Sequence, residues 1–255
     1  MNPVIRLFET HLVDHCNLPC AGCSHFSPIA PEHYADPDLF ARVMLELARK
    51  VELKRVRLLG GEPLLHPEVN KFMIAARRAY PEARIGIVTN GLLLKAMKDD
   101  FWETAAAHDI VFDISRYPVN ADKLDAYVRL VEEKGCRKGN IAQRSDMGYI
   151  LNSRGDSDPA VAYKRCRELY KSHVNMRGRR LYLCGRCYLD YFNDFFGQNY
   201  PLDRGIDIFE ASGDELFRYV TTPIELCKYC LETRPFVNWS RSRGKLREWD
   251  CFAAE

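Results

Sequence analysis

The chain has 255 residues, 47% of them hydrophobic, with 37 Lys and Arg against 35 Asp and Glu for a formal net charge of +2. That length suits one large α/β domain, alone or with a small appendage, and the near balance of charge is not the footprint of a general nucleic-acid binder. No apolar run approaches the roughly 20 residues of a membrane-spanning helix, and the opening Met1-Asn2-Pro3-Val4-Ile5-Arg6 lacks a signal peptide's apolar stretch; a cytoplasmic location without membrane contact is expected.

Residues 4–13 read as a first strand, with Ile5, Leu7, Thr10 and Leu12 among its apolar or β-branched positions. The strand delivers the chain to HCNLPCAGC, where Cys16, Cys20 and Cys23 are spaced C-x3-C-x2-C. Asp36-Pro37-Asp38 reads as a helix start, Asp36 as cap and Pro37 at the first helical position, and Leu39, Phe40, Val43, Leu47 and Val51 follow on a helical period. The alternation repeats through strand 55–59, helix 67–80, strand 84–88, helix 101–108, strand 110–114, helix 121–134 and a fifth strand at 140–144. Such alternation predicts right-handed βαβ units and a parallel sheet with its helices outside. Five or six units are too few to close an eight-stranded barrel, so the expected fold is α/β, a partial TIM-like (β/α)5–6 barrel open on one side. The loop-like segment LNSRGDSDP at 151–159 sets an expected boundary between a domain of residues 1–151 and a smaller one of 152–255. Beyond it, apolar residues flank Arg177-Gly178-Arg179 within 173–184, predicting a β-hairpin that turns at Gly178 and returns Cys184 toward Cys166. Near the C-terminus Arg234, Arg241, Arg243, Lys245 and Arg247 interleave with Trp239 and Trp249. This segment reads either as a solvated amphipathic helix with its tryptophans on the core or as a phosphate-binding rim.

Ten cysteines in a chain expected in the cytoplasm point to metal binding rather than disulfides. The first three supply three thiolates from one loop and no fourth, the ligand count of an iron-sulfur cube with one iron left open. Cys166, Cys184, Cys227 and Cys230 are enough to close either a four-thiolate cluster or a zinc site. Cys187, at C-x2-C spacing from Cys184, is a fifth candidate, and Cys136, Cys187 and Cys251 are the thiols left over. Gly60-Gly61-Glu62-Pro63, Thr89-Asn90-Gly91 and Ser115-Arg116 each follow a predicted strand, at the end where α/β folds place their ligands.

With triplet, GGEP and TNG in this order, the first part of the chain resembles the radical S-adenosylmethionine (radical SAM) superfamily. The resemblance implies a 4Fe-4S cluster on Cys16, Cys20 and Cys23 whose open iron chelates SAM. One electron, from a reductant such as flavodoxin or ferredoxin, then yields a 5'-deoxyadenosyl radical that abstracts hydrogen from carbon. It places Gly60, Gly61, Glu62 and Pro63 around the SAM amino group, with Asn90, Ser115 and Arg116 as candidates for its ribose and carboxylate. In much of the family an aromatic residue before the third cysteine packs on the adenine; here Gly22 stands there, and His25 or Phe26 is the candidate to take over. The C-terminal pattern of lone cysteine, glycine hairpin, second cysteine and later C-x2-C resembles the auxiliary-cluster domains called SPASM, more closely the shortened form called twitch, and its spacing that of aminocyclitol dehydrogenases. On that likeness Cys166, Cys184, Cys227 and Cys230 hold a second 4Fe-4S cluster, which either accepts an electron from a substrate radical or is structural. The expected activity is that of a radical SAM oxidoreductase on a small hydroxylated substrate: a sugar, an aminocyclitol or a nucleotide-linked sugar. Oxidation is preferred, with Arg144 and Tyr149 as candidates for binding the substrate or assisting deprotonation. Inversion of a carbon would need a thiol donor, Cys187 or Cys251. Two other readings are a peptide-modifying SPASM-type enzyme, against which the absence of an N-terminal extension counts, and an electron carrier, which leaves GGEP and TNG without a purpose.

Overall fold

The computed structural model describes residues 2–170, 174–233 and 235–253, without the side chains of residues 169–170 and 187–188. In chain order come β1 (Val4–Ile5), β2 (Phe8–Val13), α1 (Pro37–Lys50), β3 (Glu52–Leu53), β4 (Arg55–Gly60), α2 (Val69–Ala79), β5 (Arg84–Thr89), α3 (Asp99–Ala107), β6 (Val111–Arg116), α4 (Leu124–Glu133) and β7 (Arg137–Gln143). The smaller C-terminal part adds β8 (Asp146–Gly148), α5 (Pro159–Tyr170), β9 (Val174–Arg177), β10 (Arg180–Tyr182), α6 (Leu189–Phe196), β11 (Ile206–Asp207), α7 (Gly213–Val220) and β12 (Phe236–Asn238).

One sheet carries the order β11-β10-β9-β2-β4-β5-β6-β7, and from β9 to β7 its neighbours are parallel. This is the partial barrel that the alternation of elements predicts. The expected first strand is interrupted at Arg6-Leu7: β1 pairs with β3, and β2 enters the main sheet. The sixth parallel strand comes from the predicted hairpin, since β9 and β10 flank Gly178 at φ 57° and β9 lies against the free edge of β2. His173, at the start of the hairpin read from sequence, and Arg234 lie outside the described residues.

Period-2 alternation decides what each barrel strand presents. On β2, Phe8 and Leu12 join the main core while Glu9 lines the cleft; on β4, Val56 and Leu58 join it while Arg55, Arg57 and Leu59 line the cleft. Helix α1 covers the outer face with Phe40, Val43, Met44 and Leu47, and its first turn is fixed by Asp36, which accepts from the backbone N–H groups of Asp38 and Leu39 at 2.8 and 3.1 Å. A second apolar cluster, around Phe26, Ile150, Leu189, Phe192, Leu226 and Trp249, seats the C-terminal part under the cysteine loop.

The basic C-terminal segment is not an amphipathic helix. Residues 236–238 form strand β12, antiparallel to β8, and among the described residues only a short 3-10 turn, Leu246–Glu248, follows. Trp249 is nonetheless inside, fully buried with its ring 5.7 Å from Phe192 and its Nε1–H donated to the Cys23 carbonyl at 2.8 Å, whereas Trp239 is half-buried. Trp249→Ala removes that packing and one of the two hydrogen bonds to the Cys23 carbonyl, which keeps the Phe26 N–H at 3.0 Å, and should cost about 3–5 kcal/mol, read as a lower urea midpoint at unchanged slope.

Candidate active site

The cysteine loop is held by the strand ends it crosses. Gly61 N–H donates to the Val13 carbonyl at 2.9 Å and Glu62 N–H to the His15 carbonyl at 3.1 Å. A Cβ at Gly61 would stand 1.8 Å from the His15 carbonyl oxygen, and one at Gly60 2.1 Å from that of Val13. The glycine pair thus admits the close approach of the chain's own loop.

Glu62 is fully buried and does not line the cleft among the described residues; its carboxylate accepts from Thr89 Oγ1 at 2.6 Å and from the backbone N–H groups of Asn90 at 2.9 Å and Leu64 at 3.2 Å. Burial pushes its pKa up to about 7, against the lowering pull of those three donors. GGEP and TNG, separate in sequence, are therefore one hydrogen-bonded unit. Asn90 continues it, donating from Nδ2 to Asn17 Oδ1 at 2.7 Å inside the cysteine loop. Asn120, which the sequence reading missed, completes it: fully buried, it donates to the Asn90 and Ser115 carbonyls at 2.6 and 3.0 Å and accepts from Tyr117 N–H. Its only local signal was a polar turn residue after a strand.

Cys16, Cys20 and Cys23 line a cleft of about 1080 Å3 together with Gly60, Gly61, Asn90, Ser115, His25 and Arg144. Leu18 N–H lies 3.3 Å from Cys16 Sγ, and Trp239 Nε1–H donates to Cys20 Sγ at 3.1 Å. Burial pushes up the Cys16 and Cys20 thiols, Cys20 to about 12, so these sulfurs need a metal to be held as thiolates. Three sulfurs, two of them with N–H groups directed at them, beside a glycine-lined strand end, fit a cube with one iron left for a ligand. Pro63 is buried in the turn behind the glycines.

His25 lies on the cleft and belongs to a chain: its Nδ1 is 2.8 Å from His11 Nε2, and His11 Nδ1 is 3.0 Å from the buried Asp14 carboxylate. With both rings neutral, donation to Asp14 makes His11 an acceptor from His25 Nδ1–H and leaves His25 Nε2 as an acceptor. Phe26 is corrected to a core residue: fully buried, it packs on Phe192 at 4.6 Å. Gly22 has a reason of its own, because its φ is 67° and a Cβ there would meet the Glu248 carbonyl at 3.0 Å.

Among the described residues Arg116, Tyr149 and Cys251 lie outside the cleft lining. Arg116 reaches Gln143 at 3.4 Å, Tyr149 is tied through its N–H to the Pro235 carbonyl next to β12, and Cys251 sits exposed in a terminal turn. The side chain of Cys187 lies outside the described residues. Cys136 is a core thiol, buried 3.8 Å from the Trp102 carbonyl.

The other four predicted ligands come together. Cys166, Cys184, Cys227 and Cys230 line one small cavity, walled otherwise mainly by Ala162, Leu183, Ile224 and Leu226. Burial pushes up the thiols of Cys184, to about 12, and Cys230, to about 11. Cys166 and Cys184 also border the main cleft. Among the described residues no three His, Cys, Asp or Glu side chains, at either site, are grouped so as to hold a single metal ion.

Residues 11–152, more than half of the chain, match the radical SAM superfamily. The chain belongs to that superfamily. Among curated proteins it is 24% identical over 155 residues to the GTP 3',8-cyclase of Staphylococcus saprophyticus, covering 58% of this chain and 43% of the relative, and 30% identical over 131 residues to that of Trichodesmium erythraeum, covering 49% and 37%. It thus spans less than half the length of these relatives. Among solved structures, BtrN in complex with AdoMet and 2-DOIA superposes with a TM-score of 0.57 at 18% identity over 90% of this chain and 94% of that one. The native anSMEcpe structure with bound AdoMet gives 0.50 at 14%, covering 90% of each. These likenesses are of fold. Membership of the radical SAM superfamily implies a 4Fe-4S cluster and SAM, and no helix among the described residues is long and apolar enough to cross a membrane.

Proposed function

We propose that this radical SAM enzyme oxidises a small hydroxylated molecule, a sugar, an aminocyclitol or a nucleotide-linked sugar, and that a second 4Fe-4S cluster sits on Cys166, Cys184, Cys227 and Cys230. The observation that carries the reading is that one cleft is bordered both by Cys16, Cys20 and Cys23 and by Cys166 and Cys184. When bound, the first cluster with SAM supplies hydrogen abstraction and the second an acceptor for one electron. Oxidising an alcohol removes a hydrogen atom from carbon, a proton from oxygen and one more electron, which makes a substrate held between two such sites sensible. The chain's part is to hold it there. Arg144, an exposed guanidinium on the cleft that interacts electrostatically with Cys20 and Tyr117, offers donors to a substrate oxygen, and Ser115, Ser24 and Asn140 supply further polar contacts along the same lining. The cleft volume accommodates SAM and a small molecule together. A one-electron reductant of flavodoxin or ferredoxin type is the expected partner.

Anaerobically reconstituted protein should carry about eight irons per chain, as two cubes imply. Turnover with candidate substrates deuterated at known carbons should place deuterium in 5'-deoxyadenosine and none from solvent in the product. Four irons with one zinc would remove the second cluster, and solvent deuterium at an inverted carbon would replace oxidation by epimerisation.

A further inference from the structure

Four thiolates with an inorganic cluster carry net negative charge that grows by one on reduction, so what surrounds them decides how readily they take up an electron. Among the described residues the group that answers this is Arg186. It follows Cys184 by two positions in the 3-10 turn Gly185–Tyr188, is 8% exposed, and donates from Nη1 to Cys230 Sγ at 3.0 Å. Its guanidinium interacts electrostatically with Cys230, Cys184, Cys166 and Cys227 alike. Arg186 also borders both the four-cysteine cavity and the main cleft.

An arginine this deep normally meets a carboxylate. Here the only side-chain acceptor at hydrogen-bond distance among the described residues is a sulfur, and Nε is buried with no partner. A second orphan stands next to the same turn: Asn175 on β9 is fully buried, both its side-chain polar atoms lack a partner, and its Nδ2 lies 3.1 Å from where a Gly185 Cβ would be. Unpaired buried donors cost stability unless an acceptor completes them. For Arg186, which lines the four-cysteine cavity, sulfur atoms of a cluster there would be such acceptors.

We propose that Arg186 is a tuning residue, the buried countercharge that raises the reduction potential of the C-terminal cluster and makes it an electron acceptor facing the substrate cleft. The inference rests on the assignment of a second cluster made above. Its physical basis is that a positive charge at contact distance, largely shielded from water, stabilises the reduced state, which carries the additional negative charge, more than the oxidised one. A hydrogen bond to a ligand sulfur acts in the same direction.

The test uses the full chain carrying Cys16→Ala, Cys20→Ala and Cys23→Ala, so that only the C-terminal site holds iron, reconstituted anaerobically and titrated with redox mediators while the cluster is followed by electron paramagnetic resonance. Arg186→Gln keeps a donor and removes the charge; Arg186→Lys keeps the charge. The Gln variant should disfavour reduction at least tenfold, which for a one-electron couple is a drop of about 59 mV, while the Lys variant stays nearer the parent. Zinc in place of iron in the parent would overturn the cluster assignment and this inference together. Iron near four per chain with an unchanged potential in the Gln variant would overturn the role of Arg186 alone. Loss of the iron from both variants would also overturn it, making the guanidinium a folding element.

Discussion

Cys16→Ala, Cys20→Ala and Cys23→Ala should each abolish SAM cleavage under reducing, anaerobic conditions. Two thiolates leave a cube with two unprotected irons. The triple variant should retain about four irons per chain, those of the C-terminal site. Formation of 5'-deoxyadenosine at the wild-type rate by any single variant would show that these cysteines do not hold the cluster.

Gly61→Ala should be nearly as damaging without touching a ligand. Its Cβ would sit 1.8 Å from the His15 carbonyl oxygen and 2.8 Å from that of Asp14, distances no rotamer can relieve because both partners are backbone. The loop must move, breaking the bonds from Gly61 N–H to Val13 and from Glu62 N–H to His15. The variant should fold, since the apolar face of β4 is unaltered, but should lose iron from the N-terminal site and with it SAM cleavage. Circular dichroism and iron content separate the two effects, and a variant with full iron and wild-type cleavage would contradict this account.

The barrel was legible because its signals are local. Phe40, Val43 and Leu47 recur on a helical period, Asp36 caps, and each strand is a short apolar run closed by a turn motif, so the elements fall within a few residues of expectation. What the sequence hid was pairing. The hairpin at Gly178 was readable, but that β9 joins β2 as a sixth parallel strand is a contact between distant segments with no local mark. The basic and aromatic alternation after Phe236 fits a helix face or a strand face equally, and only the hydrogen bonds to the cysteine loop decide between them. At the site, motif reading located GGEP and TNG but not their division of labour: the glycines line the cleft, whereas the Glu62 carboxylate ties one strand end to the next. Asn120 and the Asp14–His11–His25 chain went unseen because single polar residues acquire meaning only from their partners.

The clamp on the cysteine loop has a consequence for how the protein is made. Ala21 N–H bonds to the Ser240 carbonyl, Ser242 N–H to the Pro19 carbonyl, and Trp239 reaches Cys20, a contact between residues 219 positions apart. While the ribosome has yet to add residues 239–242, strands β2 to β7 can pair, but the loop lacks one wall. Closing so long a separation is among the slower events in folding, so the nascent loop stays open to iron delivery until residues 239–242 have emerged to seal it.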